Sequence, residues 1–164
     1  MSNALLAIAR NAIALLDDAE FLFQNGRYPR ATALAVLAGE EAGKFWLMKW
    51  KPTGWESHFY QHGPKLAVTA AFHQAEAAGV LMGSTGDLVE TYRTAPSAPD
   101  HEQWAQRARA FAPIKMAALY VDVDDCAVRE PHTIGQETTA KCLAYARQEV
   151  ERLRLAKLVA DQNL

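Results

Sequence analysis

Apolar residues recur at helical spacing twice within the first fifty positions, with a break between the two runs. From residue 3 to 25, Leu5, Ala9, Ala12, Leu16, Ala19 and Phe23 fall on one stripe at 100° per residue, widened by Ile8 and Leu15. Ser2 or Asn3 suits the cap at its start, and Asn25-Gly26 is a stop signal at its end. From residue 29 to 50 a second stripe runs through Leu34, Leu37, Ala38, Phe45 and Met48. Pro29 suits a first helical turn, where its missing N–H has no intrahelical acceptor anyway, and Lys51-Pro52-Thr53-Gly54 cannot continue the helix. A connection as short as Gly26-Arg27-Tyr28 makes antiparallel neighbours, so an αα-hairpin is predicted.

Gly63-Pro64 ends a hybrid segment, WESHFYQHGPK, and starts a third helix over 64–80 through Lys65, Val68 and Phe72. Residues 82–99, rich in Gly, Ser, Thr and Pro, read as a long loop. A fourth helix is predicted over 100–121, with Asp100 and Gln103 as its capping box and a kink at Pro113. Trp104, Ala108, Phe111 and Ala118 form its stripe, and Lys115 and Asp122 lie on the same face. After a polar turn region, Thr133 and Gln136 offer a capping box for a last helix over 134–160, with Leu143, Ala146, Val150 and Leu153 inward. LYVDV resembles a short strand, but no alternation lasts long enough to build a sheet. The expected fold is all-α: one domain spanning 1–164, a bundle of about five helices around the antiparallel hairpin.

Composition supports this and narrows the function. The chain has 164 residues, half of them hydrophobic and 22% charged, ordinary for a soluble helical globule with a real core. A net charge of −2 provides no global field for nucleic acid, so any such role rests on a local site. The N-terminal apolar run lacks a basic start and meets Asp17-Asp18 early, unlike a signal peptide or a membrane span. Cys126 and Cys142 form no CxxC pair, and a reducing cytoplasm is the expected location.

Polar residues inside apolar stripes direct attention to a site. Glu41 sits near the middle of the second stripe, where a carboxylate is costly unless paired. Lys115 interrupts the fourth helix's stripe and is its natural partner; the alternative is that Lys115 snorkels outward and Glu41 bonds only to Lys44. Glu40, on the outer flank, is expected in a solvated pair with Lys44. His62 and Lys65 place an acid/base group beside a cation at a helix start. The plain reading of His62 is a surface histidine near a cap. His58-x3-His62 has metal-ligand spacing but lacks a further carboxylate–histidine pair, so neither metal nor cofactor is expected. No phosphate-binding loop, dinucleotide fingerprint or nucleophile elbow is present.

Asn11 through Asp18-Ala19, Tyr28-x2-Ala31 and LAGEEAGK (Leu37 to Lys44) resemble the first half of the AbiV abortive-infection family. His62-x2-Lys65, Lys115-x3-Leu119-Tyr120-Val121-Asp122 and Pro131 before the last helix resemble its second half. The likeness runs from about residue 3 to 150 and is carried by the order and spacing of short pieces. It implies a HEPN-type helical bundle, a place in phage defence, and pairing into a homodimer. Many HEPN proteins are ribonucleases with an Arg-x4–6-His motif. Here Arg93 and His101 are separated by seven residues and Arg129 and His132 by two, so the usual motif is missing. The resemblance therefore leaves two expectations: an effector acting on RNA through Glu41, Lys44, His62, Lys65 and Lys115, or a binding module for a phage or host protein. Exposed Trp46, Trp50 and Phe21 are the expected aromatic seam of the dimer.

Overall fold

The computed structural model describes residues 3–50, 65, 69, 111, 113–120, 122–123 and 128–155. Two long helices, α1 (Asn3–Gln24) and α2 (Tyr28–Trp50), form the expected hairpin. Gly26 makes the turn with a positive φ of 70°, a conformation free of Cβ strain only for glycine. The Gly26 N–H donates to Phe23 O (3.0 Å) and the Arg27 N–H to Leu22 O (2.9 Å), which satisfies carbonyls orphaned at the end of α1. Residues 113–119 are helical and are called α3; Pro113 is helical within the described residues. The last helix, α4, spans Gln136–Leu155. Lys65 and Thr69 are helical, as expected of the 64–80 segment; the remainder of that segment and the predicted 82–99 loop lie outside the described residues.

The fold is all-α with one small addition. Asp122–Val123 (β1) pairs antiparallel with Val128–Arg129 (β2), so the LYVDV segment does supply a strand, only two residues long. A 3-10 turn over Pro131–Thr133 follows and leads into α4. The predicted Thr133 capping box does not form, because the Thr133 hydroxyl donates back to Glu130 O (2.9 Å) and α4 begins at Gln136.

α1, α2 and α4 pack against one another, with α2 in the middle. The inward face of α1 is as read from its stripe: Ile8, Ala9, Ala12, Leu16 and Ala19 are buried, and Leu5, Leu15 and Phe23 pack at its margin. Leu143, Ala146, Val150 and Leu153 of α4 are likewise buried. α2 differs. Its buried positions run nearly all round and are mostly small: Ala31, Thr32, Ala35, Ala38, Gly39, Ala42 and Gly43, closed by Val36, Phe45 and Trp46. Of the stripe expected to face the core, Ala38 and Phe45 are fully buried, whereas Leu34, Leu37 and Met48, with Glu41 among them, are only partly covered, as is Lys44 beside them. Trp46 is fully buried and meets Phe45 edge to face at 5.1 Å, so it is a core residue and not part of an exposed seam. A hydrogen bond from the Thr32 hydroxyl to that of Thr139 (2.9 Å) ties α2 to α4 inside the bundle.

Candidate functional site: a buried polar layer along α2

Two glycines set the geometry. A Cβ at Gly39 would lie 2.5 Å from Cε1 of Tyr145 on α4, and one at Gly43 would overlap the backbone carbonyl of Lys65. Glycine at these positions, four apart on one face, lets the Tyr145 ring and the Lys65 backbone approach α2 more closely than a side chain would allow. Glu40 follows Gly39 in sequence and is carried into the same crowded side, where it is only 3% exposed.

The partner of Lys115 is therefore Glu40, with Nζ to Oε1 at 2.6 Å. The expected Glu41–Lys115 pair is corrected on this point, and so is the solvated role expected of Glu40. Glu41 sits on the partly exposed line and accepts hydrogen bonds from Lys44 at 3.2 and 3.4 Å, the local i,i+3 arrangement. α2 is buried over most of its circumference, and its open line runs through Glu41 and not Glu40, which exchanges the roles of the two glutamates.

Lys65 is buried and stands in the field of Glu40, Glu41, Lys44 and Lys115. Loss of water around its ammonium is the main influence and lowers its pKa; Lys44 and Lys115 act in the same direction, while Glu40 and Glu41 oppose them. The structure thus brings together four of the five residues singled out from sequence: Glu41, Lys44, Lys65 and Lys115. His62 lies outside the described residues.

Sequence reasoning missed the α4 half of the layer. The Tyr145 hydroxyl shares a hydrogen bond with Thr69, and its ring stacks on Phe111 with centroids 4.6 Å apart. Burial, and next the charge of Glu149, pushes the Tyr145 phenol far above its ordinary pKa, against the pull of the Thr69 hydrogen bond. Arg152 donates to Glu149 one turn earlier, both inside the bundle. The missed signal was the glycine pair: Gly39 and Gly43 mark the face of closest approach, and the acid beside Gly39 is the one that enters it. Chemically, the layer offers a cation of lowered pKa in the field of two ion pairs, Glu40–Lys115 and Glu41–Lys44. Among the described residues no group of three or more His, Cys, Asp or Glu is placed to hold a metal ion.

An α2-centred helical bundle whose GEEAGK turns Gly39, Glu40 and Gly43 to the crowded side agrees with the class of helical proteins called HEPN. Residues 2–151 match the HEPN family described as AbiV, and the chain belongs to that family. No curated protein and no solved structure matches the chain. Among the described residues no helix is long and apolar enough to cross a membrane.

Proposed function

We propose that this chain is an abortive-infection effector that works in the cytoplasm and arrests growth or translation of an infected cell by acting on RNA. The observation that carries the reading is membership of the AbiV family over residues 2–151, with the polar layer as the chemistry within it. In this reading His62, three residues before Lys65, transfers protons, while Lys65 and Lys44 hold a phosphate oxygen. Lys115 serves by fixing Glu40, since the two are already bonded at 2.6 Å. Purified protein should cleave RNA, and His62→Gln should lower the rate by orders of magnitude without loss of fold. Intact RNA after incubation with the wild type would refute the catalytic reading.

One observation favours a second reading. Glu40 and Lys115 are buried and paired, as expected of groups that hold helices together, so the bundle can serve as a non-catalytic module that recognises a phage or host protein. In that case His62→Gln changes protection only modestly, and plaque counts in a host carrying the complete system separate the two. We also propose a homodimer, its seam on α1 near Phe21, which is 65% exposed. Light scattering at micromolar concentration should give twice the chain mass, and Phe21→Glu should halve it.

A further inference from the structure

Away from the polar layer, an open cleft of about 740 Å³ lies between the hairpin turn and α3. That volume falls within the roughly 300–1,000 Å³ of small-ligand sites. Its depth comes from two alanines, Ala33 and Ala118, both buried, with Leu22, Leu34 and Leu119 as apolar walls. Arg27 and Arg30 line it as exposed residues, and among the described residues neither guanidinium has a hydrogen bond or ion pair. Among the described lining residues there is no carboxylate. An apolar hollow with two uncommitted guanidinium groups complements a ligand with an apolar body and an anionic head, because guanidinium matches carboxylate geometry in a fork.

We propose that this cleft binds a small amphiphilic carboxylate, its chain against Leu22, Leu34 and Leu119 and its head on Arg27 and Arg30. The inference does not depend on the RNA reading, since none of these residues belongs to the polar layer. It does reach that layer indirectly: Ala118 is one turn from Lys115, so an occupant that bridges α2 and α3 also holds Lys115 against Glu40. Binding should therefore raise the melting temperature.

The test is calorimetric titration of the full chain with decanoate and, in parallel, with decanol. Decanoate should bind saturably, one per chain, and about tenfold or more tighter than decanol. R27Q/R30Q, two exposed positions, should weaken decanoate about tenfold and leave decanol unchanged. Leu119→Glu, also partly exposed, should weaken both. Equal affinity for decanoate and decanol, an unaltered decanoate affinity in R27Q/R30Q, or uptake that never saturates would overturn the proposal. So would a second copy of the chain covering the cleft, seen as a dimer that Leu119→Glu dissociates.

Discussion

Replacing Glu40 and Glu41 one at a time tests the arrangement of the polar layer most directly, because the two neighbours should behave in opposite ways. The side chains of Glu40 and Lys115 are 4% and 6% exposed, and their ionic contact is 2.6 Å. Glu40→Ala removes the acid and leaves the Lys115 ammonium buried, with Lys65 as another cation in the same field. Removing one member of a buried pair costs about 3–5 kcal/mol, mostly the desolvation penalty of the charge left behind. For a chain of this length, at about 2–4 °C per kcal/mol, the melting temperature should fall by roughly 6–20 °C. Glu41 and Lys44 are 17% and 25% exposed, on the partly open line of α2. Glu41→Ala should cost at most about 1 kcal/mol, as partly solvated i,i+3 pairs do.

Urea titration followed by circular dichroism measures both, with the midpoint falling and the slope unchanged if only stability is altered. Replacing both members of the inner pair, Glu40→Leu with Lys115→Met, should recover most of the loss, since a well-packed apolar pair is often as stable as a buried ionic one. Equal and small effects of Glu40→Ala and Glu41→Ala would refute the assignment of Glu40 to the interior. A large loss for Glu41→Ala alone would restore the pairing first expected from the apolar stripe.

Gly43→Ala should destabilise by about 1–3 kcal/mol despite alanine's better helix propensity, because the added carbon meets the Lys65 backbone and not a movable side chain. Gly39→Ala should cost less, because the obstacle there is the Tyr145 ring; paired denaturation curves compare the two. Burial pushes the Cys142 thiol up from 9.0 to about 11. Between those values the native thiol keeps a proton that the unfolded chain has released, so its contribution to stability is complete below pH 9 and is lost as pH rises toward 11. Cys142→Ala should therefore flatten the alkaline limb of stability against pH relative to the wild type, and iodoacetamide should label Cys142 slowly at pH 8 until the protein unfolds.

Legibility from sequence followed the number of faces each helix buries. α1 packs on one side only, so its large and small apolar residues share a stripe, and that stripe gave its inward face without error. The hairpin turn was equally plain, because Asn25-Gly26 has one physical use at that place. The inward apolar residues of α4 follow its stripe, yet no local pattern announces the buried Glu149 and Arg152, bonded to each other, or Tyr145, which bonds Thr69.

α2 is surrounded, and there the usual rule inverts. The closest approaches on α2 fall at small residues, Gly39 and Gly43, while Phe45, Trp46 and Leu47 fill the core and Leu34, Leu37 and Met48 lie on the partly covered side. A search for the most apolar stripe then centres on the partly covered edge, although its Ala38 and Phe45 are buried, and assigns Glu40 and Glu41 to each other's environment. Small residues at a spacing of four are the better phase marker for a central helix, since they show where another chain must come near. Applied to LAGEEAGK, Gly39 and Gly43 fix the crowded face, Glu40 enters it, and Glu41 and Lys44 are left to pair at its edge. On that reasoning the motif is first a packing device that brings Tyr145 and Lys65 onto α2. Its buried acid is the counter-charge made necessary by the lysines brought in with them.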